Sequence, residues 1–144
     1  MCDAARLDLH DAVRRWQVAV GLAVNDAPTL DVPDGTKELR CALIEEEAAE
    51  LRAALEANDI VEVADALADL LYVVHGAALT FGIPIYEVFA EVHHSNMTKV
   101  ATDGRVRRRA DGKVLKPPAF RPPELEPILA SHARRETAVV TDPG

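Results

Sequence analysis

Two helical patterns meet at Asn58-Asp59 inside residues 43–74, LIEEEAAELRAALEANDIVEVADALADLLYVV, and both carry acids where a bundle helix is normally apolar. Stepping about 100° per residue from Leu39, Glu46, Glu50 and Glu47 share an arc with Leu39, Leu43 and Ala54. Glu45, Arg52 and Glu56 make the opposite, wet face. On the next helix Glu62, Asp65 and Asp69 fall together beside an apolar stripe of Val63, Leu67, Leu70, Leu71 and Val74. Facing helices of this kind bring five or six carboxylates together, and no Lys or Arg occurs between Ala53 and Thr98 to offset them. Buried like charges require cations or large pKa shifts. An all-oxygen donor set, with no Cys and no nearby His, favours Mg²⁺ or Mn²⁺ over zinc. The competing reading is a charged stripe on a solvated bundle. The inward phase of both sets argues against it.

The chain is read as one all-α domain over residues 1–131, with an irregular basic arm at 100–123 and a disordered tail at 132–144. A composition rich in Ala, Leu and Val with only 4% aromatics suits packed helices. The net charge of −8 argues against nonspecific nucleic-acid binding by the whole molecule. Its distribution says more. Residues 99–121 hold eight of the sixteen Lys and Arg, against only Asp103 and Asp111. An acidic core followed by a basic segment suits a metal-bound polyphosphate. Cys2 and Cys41 are too few for a disulfide framework or a zinc site, and Cys41 reads as a small core residue. No apolar leader opens the chain and no run approaches a membrane span, so a soluble cytoplasmic protein with no membrane partner is expected.

In chain order, residues 8–21 predict a first helix with Leu9, Val13, Trp16 and Val20 on one side. Trp16 is either core packing or a stacking surface for a nucleobase. Thr36 is the expected cap of a second helix at 37–57. Asp59 caps a third helix running to about Thr80, with Glu62 completing a D-x-x-E capping box. Glu62 therefore serves either its own helix end or a metal. Pro84 opens a fourth helix at 84–99. There Asn96 and Lys99 continue the stripe of Ile85, Val88, Phe89 and Val92, as ligand-facing groups or as a frayed last turn. Glu91 and His94 form one Glu-x-x-His, half of what a di-iron bundle needs. Both lie off the apolar stripe, so they and His93 are read as surface residues. Two Asp-Gly turns, 103–104 and 111–112, predict a short hairpin or ordered arm. Glu124 to Ser131 predict a short final helix.

Together, Glu46-Glu47-x-x-Glu50, Asp69 in ADLLYVV, HHSNMTK at 93–99 and DGKVLKPP at 111–118 resemble the all-α NTP pyrophosphatase superfamily, the MazG-like and phosphoribosyl-ATP pyrophosphohydrolase-like proteins. The resemblance covers roughly residues 37–125 and looks closest to small dUTP/dCTP-directed members. It implies a four-helix-bundle module completed by homo-oligomerisation, as a homodimer or else a tetramer. It implies Mg²⁺-dependent cleavage of a nucleoside triphosphate between the α and β phosphates, giving monophosphate and pyrophosphate. The family's ExxD carries Glu where this chain has Ala66, and Asp65 lies one turn before Asp69 in its stead. The implied metal ligands are Glu47, Glu50, Asp65 and Asp69, with Glu62 as a further candidate, and Glu46 as base for the attacking water. Asn96, Lys99, Lys113 and Lys116 would bind substrate. The alternative function is a noncatalytic helical module that binds nucleotide or metal, for which Ala66 speaks.

Overall fold

The computed structural model describes residues 7–100 and 103–140, the last four as helical backbone. Five helices form: α1 (Leu9–Ala19), α2 (Thr36–Ala57), α3 (Ile60–Thr80), α4 (Ile85–Met97) and α5 (Glu126–Val140). The only β pairing among the described residues is a bridge between Arg108 and Val114. The all-α class is therefore as expected. No single helix among these is long and apolar enough to cross a membrane. The chain divides into two compact units, Met1–Ile83 and Pro84–Gly144.

The first unit is a helical hairpin, α2 on α3, with α1 laid against α3. The hairpin closes on two residues. Asn58 takes a left-handed conformation (φ 55°) that ends α2, and the Asp59 amide bonds the Ala54 carbonyl at 3.1 Å. Asp59 Oδ1 then accepts from the amides of Val61 and Glu62, capping α3 as expected. The return bond of a capping box is absent, because the Asp59 amide is already spent on Ala54. At the start of α2 the cap is Gly35 (φ 77°), and Thr36 is the first helical residue instead of the cap.

Which faces pack differs from the periodicity reading. Val13 and Gln17 are the buried residues of α1, while Leu9, Trp16 and Val20 stay exposed. On α2 the inward line is Arg40, Leu43, Ile44, Glu47, Leu51 and Ala54; Leu39 and Cys41 face solvent. On α3 the closest packing runs through small residues, Ala66, Gly76 and Ala78, and leaves Leu67, Leu71 and Val74 exposed. Small side chains let two helix backbones approach, and towards the end of the helix Leu79 is buried beside them. At one end of this seam Arg40 is 5% exposed, with no carboxylate partner among the described residues. Its Nε donates to Thr80 Oγ1 (2.9 Å) and Nη2 to Gln17 Oε1 (3.1 Å). Thr80 Oγ1 and Gln17 Nε2 both donate onward to the Ala23 carbonyl. Gly76 leaves room for this network: a Cβ there would sit 2.6 Å from Gln17 Oε1.

In the second unit, Ser95 is the buried residue of α4, not Asn96, and its hydroxyl donates to the Arg121 carbonyl at 2.7 Å. Residues 103–115 form the expected hairpin. Gly112 (φ 82°) follows a turn closed by its amide on the Arg109 carbonyl, and the Leu115 amide reaches the Arg107 carbonyl. The final helix begins at Glu126 and runs to Val140, past Ser131, which corrects the reading of 132–140 as disordered tail. Ala, Arg and Glu in SHARRETA are good helix formers, and Arg135 grips both oxygens of Glu87 on α4 at 3.0 and 3.1 Å. Cys2 and residues 141–144 lie outside the described residues.

Candidate functional site

The antiparallel seam of α2 and α3 holds the acids singled out by the sequence. Glu47 is the one that points into it, half-buried, with Oε2 the only buried side-chain oxygen or nitrogen lacking a hydrogen-bond partner among the described residues. Its carboxyl is held above the ordinary carboxylate range, first by burial and then by Glu50, Asp69, Glu46 and Asp65. That set of neighbours brings together the acids of both helices. Asp69 is half-buried; Glu46, Glu50, Asp65 and Glu62 are exposed. The expectation that Glu46 and Glu50 point inward with Glu47 is thus corrected: they flank it at the rim. A charged carboxylate on the seam carries a desolvation cost, and the backbone turns the neighbouring two towards water.

An open cleft of about 480 Å³ on the same helix pair is lined by Glu50, Asp59, Glu62, Asp65 and four alanines, 53, 54, 57 and 66; Glu47 and Asp69 are not among its lining residues. The alanines hollow it out. Ala66, at the position where the related pattern has Glu, is buried and forms part of the wall. Glu62 lies in this cleft, and among the described residues its carboxylate makes no bond back to its own helix end, so the capping role is reduced to its place in the first turn. No three Asp, Glu, His or Cys side chains among the described residues converge closely enough to hold a metal ion as they stand. Unscreened carboxylates push apart, and a cation is what would draw them in. The chemistry of the donors, and the orphaned Glu47 oxygen, fit a hard divalent ion.

One turn beyond Asp69, Tyr72 meets Trp16 edge-on, ring centroids 5.7 Å apart at 83°. Both rings are exposed, so Trp16 is not a core residue.

The second unit carries the basic counterpart. A cleft of about 430 Å³ is lined by Lys99, Asp103, Arg105, Arg107, Leu115, Lys116, Pro117 and Pro118. Lys99 donates to Asn96 Oδ1 at 2.6 Å, so the exposed Asn96 acts through Lys99 here. Lys113 is not among the lining residues; it sits at the hairpin turn, its amide on Asp111 Oδ1. Arg105 and Arg107 were missed by the sequence reading. Their spacing of two on an extended segment, which places both on one side, was the available signal. Glu91 and His94 line a smaller cleft with Arg121 and Glu124, and Glu91 Oε1 is taken by the Glu124 amide. Among the described residues they do not gather with a third such side chain closely enough to hold a metal ion.

The profile of the phosphoribosyl-ATP pyrophosphohydrolase family matches residues 13–96. This span contains every acid of the α2–α3 seam and stops short of the basic cleft. No curated protein matches the sequence.

Proposed function

Because the chain belongs to the phosphoribosyl-ATP pyrophosphohydrolase family, which accounts for more than half of its length, we propose that it is a Mg²⁺-dependent nucleoside triphosphate pyrophosphohydrolase. Membership brings a pyrophosphohydrolase-type activity on nucleotides, a hydrolase chemistry on phosphoric anhydrides. The finer proposal is a (d)NTP substrate, with dUTP and dCTP the first to test, cut between the α and β phosphates.

One observation carries it. Among the described residues Glu47 presents a buried, unpartnered oxygen to a cluster of four further acids, and no cation is among the groups that shift its carboxyl. Glu47, Glu50, Asp65 and Asp69 would hold the metal, with Glu62 as a further donor at the cleft edge; Mn²⁺ would substitute. Bound there, the ion supplies charge neutralisation for an in-line displacement at phosphorus. Glu46, at the exposed rim beside Glu47, accepts the proton of the attacking water. Lys99 and Lys116 bind the phosphate oxygens. Lys113, outside the basic cleft, has less support for the same role. Asn96 keeps its amide NH₂ for the nucleotide while its oxygen steadies Lys99. The exposed Trp16–Tyr72 pair favours the stacking role for Trp16, since a ring in the core could not meet a base.

The chain also self-associates in this reading. Ile60, Leu67, Leu71 and Val74 recur along one exposed face of α3, an apolar stripe that a second copy would cover. A homodimer is proposed ahead of a tetramer. Light scattering at micromolar concentration should exceed the 15.6 kDa of one chain; a particle of that mass removes the claim.

The second reading, a noncatalytic nucleotide- or metal-binding module, rests on Ala66. A panel of NTPs and dNTPs with Mg²⁺, assayed for pyrophosphate against orthophosphate, separates the two. Pyrophosphate release supports the enzyme. Binding without turnover of any triphosphate leaves the module.

A further inference from the structure

The run KPPAF at 116–120 folds back on itself. The Phe120 amide donates to the Pro117 carbonyl at 2.9 Å, closing a turn with Pro118 at its second position, where its fixed φ suits the bend. One residue on, Arg121 is pinned to the end of α4: its amide donates to Thr98 Oγ1 at 3.0 Å, and its carbonyl accepts from Ser95 Oγ. These two devices hold the Phe120 ring within reach of both Lys116 and Lys99. The Lys116 ammonium lies 4.7 Å from the ring centroid and that of Lys99 5.7 Å. Two ammonium groups drawn to one ring repel each other, and the negative face of the ring offsets that cost.

The hairpin completes the cleft. Its four arginines divide by register. Arg108 donates to the Gly112 carbonyl and Arg109 faces Asp111 at 3.6 Å, so both serve the turn. Arg105 and Arg107 line the cleft, and neither guanidinium has a hydrogen-bond or acidic partner among the described residues. The single acid in the cleft, Asp103, has Oδ1 occupied by the Arg105 amide. Four cations thus line a cleft with one partly satisfied carboxylate.

We propose that Phe120 is a positioning residue that gathers Lys99 and Lys116 with Arg105 and Arg107 into a binding site for a diphosphate group, the leaving pyrophosphate or the same part of a triphosphate. This deepens the function proposed above, on which the choice of ligand rests. A diphosphate matches the cleft in charge, and its oxygens offer several acceptors to guanidinium forks and ammonium points. The arginines grip and the lysines neutralise; Phe120 sets the lysines in place before the ligand arrives.

The test is calorimetric titration of the full chain with inorganic pyrophosphate, without Mg²⁺, alongside kcat and KM for a triphosphate. Phe120→Leu keeps the apolar bulk and removes the π face; it should weaken pyrophosphate binding about ten-fold and raise KM more than it lowers kcat. Phe120→Trp should bind within about two-fold of the parent, a rescue that a mere space-filling role would not produce. Arg105→Gln and Arg107→Gln should each weaken binding about three- to ten-fold while leaving the circular dichroism unchanged. Parent-like affinity in Phe120→Leu, or in both arginine variants, overturns the assignment, as does a parent chain that binds no pyrophosphate. A chain that binds pyrophosphate through these residues yet releases none from any triphosphate would sink the enzymatic reading and leave this one standing.

Discussion

The α2–α3 seam has two polar ends that solve the same problem oppositely. At the Arg40 end a guanidinium is buried and every bond it makes goes to a neutral acceptor held in place by the fold: Thr80, Gln17 and behind them Ala23. Burial holds the Arg40 pKa below the ordinary arginine value, yet the group has acceptors and stays charged. At the Glu47 end one carboxylate oxygen is, among the described residues, buried without a partner, and alanines leave a cleft where packing would be expected. A satisfied polar cluster stabilises; an unsatisfied one awaits something. The two ends are therefore expected to part company under mutation, one losing activity and the other losing stability.

The largest effect is expected at the acidic end. Glu47→Gln, Asp65→Asn and Asp69→Asn should each lower pyrophosphate release by on the order of a thousand-fold or more, since each removes a proposed metal ligand. Their metal-free melting temperatures should equal or exceed that of the parent, because a repelling charge is gone. Loss of stability with retained activity in these variants would reverse the comparison.

Next comes the other end. Thr80→Val keeps the shape of a fully buried side chain and strips Arg40 Nε of its acceptor. It should destabilise by about 2–3 kcal/mol, read from denaturant unfolding, with turnover per folded molecule unchanged. Gly76→Ala should cost about 1–2 kcal/mol, the gain in helix propensity being outweighed by displacing Gln17 Oε1 from its bond to Arg40.

These two ends were unequally visible in the sequence. The Asn58-Asp59 break and the Asp59 cap are local chemistry, and local chemistry can be read from neighbours. The crowding of acids was legible too, because charge without counter-charge needs no knowledge of packing. The choice of packed face was not. Helix α3 is apolar on most sides, so its period marks no unique stripe, and the seam went to Ala66 and Gly76 over Leu67 and Leu71. Nothing local marks Gln17 or Arg40 as buried either. Arg40 bonds Gln17, 23 residues before it, and Thr80, 40 residues beyond it, and only the tertiary fold brings the three together.

A smaller effect separates the regions by pH. The raised pKa of Glu47 means that folding favours its proton, so metal-free stability should fall as pH rises above the ordinary carboxylate value through the raised one. Mg²⁺ should flatten that slope, and Glu47→Gln should remove it. His10 and His75 act in the opposite sense. Their Nδ1 atoms lie 3.1 Å apart, and both pKa values are lowered, chiefly by burial. For His10 the imidazole of His75 and Arg14 add to this, against Asp8 and Asp11; for His75 Asp8 opposes it. The stability this pair contributes is present above the ordinary imidazole value and lost as pH falls through the lowered one. Melting curves between about pH 5 and 8, with and without Mg²⁺, should shift by a few degrees in these two directions. A Glu47→Gln variant with the parent's slope would show that the orphaned carboxyl is not its source.

The smallest expected change is at Glu62, and it decides where the acidic site ends. The reciprocal half of a capping box is missing, because the Asp59 amide bonds Ala54, so Glu62→Gln gives up only its favourable place in the first turn of α3. That is worth about 0.3–1 kcal/mol. Its carboxylate shares the cleft with Glu50 and Asp65, and Ala66 offers no donor between Asp65 and Asp69. As an edge donor, Glu62 should matter mainly through metal affinity: the variant should need about three- to ten-fold more Mg²⁺ for half-maximal rate and recover near-parent turnover at saturation. Asp65→Asn should not recover at any Mg²⁺ concentration. If instead Glu62→Gln is dead at saturating Mg²⁺ while Asp65→Asn is restored, the site is centred one turn nearer the Asn58-Asp59 break, on the Glu62 to Asp65 pair. Asp69 would then be the flanking residue.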